Sequence, residues 1–370
     1  MEYTKTELHT HLVGMLSVNE LVLFAKKCGI NEVMLFDEKE IPVENILTED
    51  YIDLFRVKRN NRVDYKMLDT IYNYRSLLIK YIAKKYAIDN NITNNQANKI
   101  IYNLLINYSL RSLIEQGVKY VEISYSFSDR IKNFHIDEDI KDKIKCKFLL
   151  STQRTNPIKS YTDDSRTNTF LKSSKDLLEV LKNGNAVGFD IMGEETKLSL
   201  EEKDYSNEYD SFERKLEILF NSLLKYNNTT LRIHSGETSN SFNNTLDILK
   251  MIDRISERNK YIIPPPEIRI GHGLYFDKNR IYLELLKKYG CIIELNASSN
   301  FALSNIKNYN SIPYKYYIKN GVPIVVSTDG HGMYSTNIIR EDMIAYSVTN
   351  SDIYNKITDI DQDIYKKKGL

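Results

Sequence analysis

The feature that most constrains this chain is a short alternating stretch near its beginning, residues 7–12, with the sequence ELHTHL. Two histidines separated by one residue project from the same side of an extended strand. Imidazoles presented in this way can share one divalent metal ion. Because His9 and His11 do not complete a metal site, other strand ends must supply the remaining ligands.

Length and charge narrow the class of protein. The chain has 370 residues, which is ordinary for an α/β barrel with insertions. Its 51 Lys and Arg residues nearly balance its 50 Asp and Glu residues, so no global basic field argues for nucleic acid or an acidic membrane surface as a partner. The basic end at 366–368 is interpreted as a solvated tail.

The cysteines and the distribution of apolar residues indicate the cellular compartment of the protein. Cys28, Cys146 and Cys291 are widely spaced and form no Cys-x-x-Cys pair, which excludes a disulfide framework and the cysteine-ligated type of zinc deaminase. The chain has no apolar leader and no run of eighteen apolar residues. We therefore expect a cytoplasmic protein without a membrane partner. The protein could form a homo-oligomer, and the sequence does not decide this.

Hydrophobic periodicity predicts a barrel. Eight short apolar runs are separated mostly by helical segments, and this alternation favours a parallel (β/α)8 TIM barrel in one domain over residues 1–370. Ser17 and Glu20 form a capping box for the first helix. Residues of about 30 to 115 read as a helical insertion after strand one that covers the C-terminal mouth of the barrel. The predicted strands span residues 5–12, 118–125, 146–151, 186–193, 230–234, 268–272, 291–296 and 322–329.

Ionisable side chains fall at the ends of these strands. His9 and His11 end strand one, His234 ends strand five, His272 ends strand six and Asp329 ends strand eight. In a barrel these ends converge on the mouth, where barrel enzymes carry out their chemistry. Any one of these histidines alone fits a hydrogen-bonded structural role, but chance placement explains the whole set poorly.

The predicted ligands are His9, His11, His234 and Asp329, a nitrogen and oxygen set that suits one zinc ion per chain. Iron, manganese or cobalt would also fit. His272 is the candidate base that holds and deprotonates the attacking water. Glu237 can donate a proton to a ring nitrogen, although a carboxylate near a helix N-terminus is the competing interpretation.

Five motifs in order resemble the adenosine deaminase family, from Glu7 to about Ser335. The first is the ELHTHL stretch, and the others are VGFDIMGEE at 187–195, IHSGE at 233–237, RIGHG at 269–273 and STD at 327–329. The resemblance implies a metal-dependent deaminase with His9, His11, His234 and Asp329 as ligands. It further implies Glu237 as proton donor to purine N1, His272 as catalytic histidine and Gly193 as the point where the backbone approaches the purine.

The chain departs from the family pattern at substrate-reading positions. Val13 stands where the family carries a ribose-binding aspartate, and Gly330 stands where it carries an aspartate that binds the purine imidazole nitrogen. Ser124 replaces a usual arginine, and residues 296–300 replace a Cys-Pro segment. His331 either takes over the base-edge contact or sits on the turn made by its two flanking glycines. We count Gly193, Gly330 and His331 as the predicted substrate contacts.

The resulting hypothesis is a zinc-dependent hydrolytic deaminase of an adenine nucleoside or nucleotide, with a substrate other than plain adenosine. Loss of the acid at Val13 would lower repulsion against a phosphate, although a solvated helix face is the favoured interpretation of the basic residues nearby. Those residues are Lys26, Lys27, Arg56, Lys58, Arg59 and Arg62. The alternatives are another metal-dependent amidohydrolase or phosphoesterase, and a catalytically silent nucleotide-binding subunit.

Overall fold

The centre of the molecule is a parallel sheet of eight strands. The computed structural model describes residues 4–34, 40–58, 63–159, 169–193, 195, 211–259, 265–276, 278–303 and 305–368. Strands pair in chain order, each parallel to the next. They are β1 (Lys5–His11), β4 (Val118–Tyr125), β5 (Lys145–Gln153), β6 (Ala186–Met192), β7 (Thr230–Ser235), β8 (Glu267–His272), β9 (Ile292–Leu295) and β10 (Ile324–Val326).

The sheet closes on itself just beyond β10. Thr10 of β1 forms a parallel bridge with Asp329. The His11 amide donates to the Asp329 carbonyl at 3.1 Å, and the Asp329 amide donates to the His9 carbonyl at 2.7 Å. The predicted (β/α)8 TIM barrel is therefore confirmed, because eight parallel strands enclose one core.

Helices surround the strands, as alternating βα units require. The first helix begins after the predicted capping box, in which Ser17 and Glu20 satisfy each other's backbone amides. The helices are α1 (Val18–Lys27), α2 (Tyr65–Asp89), α3 (Asn94–Glu115), α4 (Ser128–Lys132), α5 (Phe170–Lys182), α6 (Phe212–Leu223), α7 (Asn244–Arg258), α8 (Arg280–Lys288), α9 (Ala297–Ala302), α10 (Tyr314–Lys319), α11 (Ile338–Val348) and α12 (Ser351–Lys367). No described helix is long and apolar enough to cross a membrane.

The insertion after β1 is mostly helical, as expected, with one addition. Two short strands, β2 (Glu32–Met34) and β3 (Glu40–Pro42), form an antiparallel pair before α2 and α3. Their length explains why no strand periodicity was visible in the sequence. The helix α2 contributes six side chains to the cavity at the barrel mouth, so the insertion covers this end of the barrel.

Two arginines lie inside the barrel, both fully buried. Arg232 pairs with Asp190 through Nε at 3.0 Å and Nη2 at 2.8 Å, and it also donates to the Leu8 carbonyl. Arg269 donates to Glu122 and, at 3.1 Å, to Glu294. Since an isolated buried charge is very costly, the pairing of these groups is what allows them to lie in the barrel interior.

The Glu122 pair gives a prediction for stability. Burial acts to raise the pKa of Glu122, but Arg269 and Lys368 hold that pKa at about 2. The ionised carboxylate then contributes roughly 3 kcal/mol to the free energy of unfolding above pH 4.5, and this contribution is lost as pH falls towards 2. We expect Glu122→Gln to destabilise the protein most near neutral pH.

Urea unfolding at pH 7 and pH 3.5 measures the difference. The difference in the free energy of unfolding between wild type and Glu122→Gln should become smaller at the lower pH, because protonation removes the same charge from the wild type. Glu138→Gln is the control, since this exposed carboxylate pairs only with Lys141 among the described residues. A gap of constant size at both pH values would contradict the assignment.

Candidate active site

Four imidazoles meet at the C-terminal end of the barrel. The His9 ring centroid lies 5.5 Å from that of His11, 4.6 Å from that of His234 and 5.1 Å from that of His272. One ligating nitrogen each from His9, His11 and His234 falls within a group whose atoms are all within 4.8 Å of one another. The structure thus brings together three side chains from β1 and β7 that could hold one metal ion.

Asp329 joins this group through the barrel closure. Its Oδ1 lies 3.6 Å from His9 Nε2 and 3.4 Å from His11 Nε2. The backbone of Asp329 has a φ of 65°, and that of His272 has a φ of 72°. Non-glycine residues adopt this left-handed region rarely and at a cost of about 1–3 kcal/mol each, and such strain clusters at functional sites.

A buried carboxylate and an amide lie beside the His9 ring. Glu294 Oε2 lies 2.9 Å from His9 Nδ1 without hydrogen-bond geometry, and Asn296 Nδ2 lies 3.2 Å from the same nitrogen. His9 Nε2 has no hydrogen-bond partner among the described residues. Burial lowers the pKa of His9 well below its ordinary value, and Arg232 adds to the effect. The imidazole is therefore neutral near pH 7, which is the form that binds a metal.

His234 has a comparable neighbour in Asp190. Its Nε2 lies 3.4 Å from Asp190 Oδ1 without hydrogen-bond geometry. Although burial opposes it, Arg232 holds the pKa of Asp190 well below its usual range. The ionised carboxylate therefore lies beside the one His234 nitrogen that has no hydrogen-bond partner among the described residues, and its negative charge favours a cation there.

Glu237 lies on the loop after β7, held by another carboxylate. Glu195 accepts the backbone amides of Gly236 and Glu237, each at 2.9 Å, and the Ser241 hydroxyl at 2.5 Å. Burial raises the pKa of Glu237 to about 7; Glu195 also raises it, while His234 acts to lower it. A carboxyl group with this pKa can carry a proton at neutral pH and act as an acid.

His272 stands between the histidine cluster and Glu237. Its Nε2 lies 3.3 Å from His234 Nδ1 and 3.6 Å from Glu237 Oε1. Burial lowers the pKa of His272 to about 4, so the ring is a neutral acceptor at pH 7. The arrangement can therefore both accept a proton from water and donate one to a bound base.

A cavity of about 530 Å³ opens beside these groups. This volume is within the usual range for a small-molecule site. Of the predicted residues, the cavity lining includes His11, His234, Glu237, His272, Asp329 and Gly193. The last has a φ of 107°, and any Cβ there would collide with the side chain of Gln153, so glycine keeps this part of the wall open.

The structure does not bring Gly330 and His331 to the cavity lining. A Cβ at Gly330 would lie 3.3 Å from the Gly14 Cα, and one at Gly332 would collide with the Leu16 backbone. This tight packing places the buried His331 ring near Glu20 and Arg75, with its pKa lowered to about 4 by burial. The prediction that Gly330 and His331 contact substrate gains no support from this placement.

Sequence reasoning did not assign roles to Asp190, Glu195 and Glu294. Asp190 and Glu294 are lone carboxylates inside apolar strands, and this was the available signal, because buried acids are rare unless paired. The cavity-facing residues of α2 were also missed. Their signal was weaker, since polar side chains at helical spacing usually face solvent.

Comparison with known proteins agrees with this geometry. The sequence profile described as adenosine deaminase matches residues 4–354. The chain is 24% identical over 369 residues to an adenosine deaminase of Clostridium perfringens, covering 95% of this chain and 91% of the relative.

Solved structures share the fold at low identity. The apo N6-methyl-AMP deaminase of Arabidopsis thaliana has a TM-score of 0.61 and 17% identity, covering 96% of this chain and 90% of its own. Arabidopsis ADAL in complex with GMP has a TM-score of 0.61 and 16% identity, covering 97% and 90%. The family is metal-dependent and its members deaminate adenine compounds. The chain therefore belongs to the adenosine deaminase family, as a hydrolase that deaminates adenine nucleosides or nucleotides.

Proposed function

We propose that the protein is a zinc-dependent hydrolytic deaminase that replaces the 6-amino group of an adenine nucleoside or nucleotide with oxygen and releases ammonia. One observation carries this proposal: a histidine and aspartate cluster, an acid and a base meet at one cavity. The cavity lining includes His11, His234, Asp329, Glu237 and His272, and His9 lies behind the lining in contact with the same cluster.

The cluster fits a divalent metal on its own chemistry. His9 Nε2 and His234 Nε2 are buried nitrogens without a hydrogen-bond partner in the described part of the chain, and buried polar atoms of this kind are rare unless an ion or water satisfies them. Three imidazole nitrogens and one carboxylate oxygen are a donor set typical of zinc. A bound zinc ion would supply Lewis acidity, which makes water an effective nucleophile at neutral pH.

The chain's own residues manage the protons. Glu237 donates a proton to purine N1, which draws electron density from C6 and prepares it for attack. His272, neutral at pH 7, accepts a proton from the attacking water. Asp329 lies against the same histidines and orients the water. After the hydroxyl adds to C6, the proton held by His272 passes to the 6-amino group, which leaves as ammonia. The C6 hydroxyl gives up its proton to Glu237 as the 6-oxo product forms, and both residues return to their starting states.

The cavity suits a purine nucleoside in shape and polarity. Aromatic side chains of Tyr65, Tyr72, Phe127 and Tyr334 lie in its lining and offer faces and edges against which a purine ring can pack. Gly193 keeps the wall open where the backbone would approach the base. The acids missing at Val13 and Gly330 support a substrate other than plain adenosine, because buried polar contacts set specificity.

The described basic residues in or near the insertion do not point to a phosphate site. Lys26 pairs with Glu44, while Arg56 and Lys58 pair with Asp53. None of these three cations, nor Lys27, lines the cavity, in agreement with a solvated helix face. Arg59 and Arg62 lie outside the described residues.

Three features stay predictions of the sequence: one domain over residues 1–370, a cytoplasmic location and a homo-oligomeric state. None of them is needed for the chemistry proposed above, because every group it uses lies within one chain.

Ammonia release from a panel of adenine compounds tests the activity. The panel contains adenosine, AMP, ATP, 2′-deoxyadenosine and N6-substituted forms, with product mass measured alongside. We expect ammonia, or the corresponding amine, together with a 6-oxo product from at least one compound. Product formation from none of them by zinc-loaded protein would overturn the proposed function.

Glu237→Gln tests the acid role within that assay. The amide cannot donate a proton to N1, so we expect turnover to fall by about 10²–10⁴-fold with zinc content unchanged. Glu284→Gln is the control, because this exposed carboxylate on α8 pairs with Arg280 far from the cavity. Full activity in Glu237→Gln would refute the role.

Glu294→Gln tests the support of the metal ligands. Loss of the carboxylate that orients His9 should weaken zinc binding by roughly 10–100-fold. Competition with a chelator at pH 8 measures this affinity, since burial raises the pKa of Glu294 to about 7 and the group is ionised above it.

The matched control for Glu294→Gln is Glu267→Gln. Glu267 Oε1 lies 3.0 Å from Arg269 Nε, and Glu294 shares this partner, but Glu267 sits at the opposite end of β8 from the cluster. Its substitution should leave zinc affinity unchanged. Equal zinc affinity in Glu294→Gln and wild type would contradict the orienting role.

A further inference from the structure

The covering helix α2 turns a polar face towards the cavity. Tyr65, Asp69, Tyr72, Asn73 and Ser76 recur at helical spacing and line the cavity wall. Asp69 and Asn73 are exposed, and neither forms a hydrogen bond or ion pair with another residue in the described part of the chain. Their side chains are thus available to a molecule in the cavity.

A buried arginine fixes this helix against the turn that follows β1. Arg75 Nε donates to the Val13 carbonyl at 2.7 Å, and its Nη1 donates to the Phe55 carbonyl at 2.5 Å. A further bond reaches the Leu16 carbonyl. Because Arg75 lies on α2 between one and two turns beyond Asp69, these bonds also fix where Asp69 stands relative to Val13.

Val13 lines the same cavity as Asp69, and it occupies the position where the family carries its ribose-binding acid. The apolar side chain leaves the sugar end without that acceptor. We infer that Asp69, assisted by Asn73, binds the ribose hydroxyls of the substrate from the covering helix and so replaces the acid missing at Val13. This inference rests on the proposed deaminase function.

The chemistry of the two side chains fits a sugar. A carboxylate is acceptor-only and can take both hydroxyls of a vicinal diol, while the asparagine amide both donates and accepts. Hydrogen bonds to a charged group contribute about 1.5–3 kcal/mol, so recognition of the diol is worth roughly 10- to 100-fold in kcat/KM.

The charge of the cavity lining also affects which 5′ substituent the sugar can carry. No lysine or arginine of the described residues lines the cavity, whereas Asp69 brings a carboxylate to it. A 5′-phosphate would meet repulsion from Asp69 and no compensating cation among the described lining residues. The enzyme should therefore prefer an adenine nucleoside with intact ribose hydroxyls to the corresponding nucleotide.

The test compares kcat/KM for the best adenine nucleoside of the panel, its 2′,3′-dideoxy form and its 5′-monophosphate in the zinc-loaded protein. The wild type should prefer the nucleoside to the dideoxy form by roughly 10- to 100-fold and should also prefer it to the 5′-monophosphate. In Asp69→Asn we expect both preferences to fall towards unity, the first through weaker diol binding and the second through lost repulsion.

Asp89→Asn is the matched control, because Asp89 is the exposed last residue of the same helix and does not line the cavity. Its selectivity should equal that of the wild type. Thermal unfolding of Asp69→Asn confirms that the variant is folded.

Two results would overturn the inference. Unchanged selectivity in folded Asp69→Asn would remove Asp69 from substrate recognition while leaving the deaminase assignment intact. A wild type that deaminates the 5′-monophosphate in preference to the nucleoside would refute the charge argument and likewise leave the deaminase assignment intact. Absence of product from all adenine compounds is a separate outcome, which overturns the proposed function and this inference with it.

Discussion

The site depends on the hydrogen bonds that close the barrel. Two backbone bonds join Asp329 to His9 and His11, and the same pairing brings the Asp329 carboxylate to the imidazoles of β1. Ligands more than 300 residues apart in sequence therefore become neighbours through main-chain pairing alone. The left-handed backbone at Asp329 is a strained conformation, and the closed eight-stranded core around it offsets that strain.

Buried ion pairs below the site provide its second constraint. Arg232 and Arg269 lie among Asp190, Glu122 and Glu294 in the barrel interior, and two of these acids extend upward to metal-site histidines. Asp190 stands beside His234, and Glu294 stands beside His9. The acids that pair with the interior arginines thus also lie against histidines of the candidate metal site.

Much of this organisation could be predicted from sequence, and the exceptions have physical reasons. Polar residues at strand ends indicated the cluster, because parallel strands bring those ends to one mouth. No role was assigned to Glu294, because its contact with His9 depends on how the strands are arranged in the closed barrel. The sequence left two positions open for His331, a base-edge contact or the turn made by Gly330 and Gly332, and the packing of these glycines against the turn after β1 agrees with the second. The position of Asp69 at the cavity could not be predicted, because it depends on how α2 packs over the barrel. The hydrogen bonds of the buried Arg75 fix that packing.

The central claim is that one metal ion at the barrel mouth supports the deamination. The most direct measurement removes metal with a chelator, restores zinc in steps and follows both bound zinc and product formation from the best adenine substrate. We predict no turnover in the stripped protein and activity that rises in proportion to zinc until one ion is bound per chain. Full turnover by protein shown to contain no metal would contradict it.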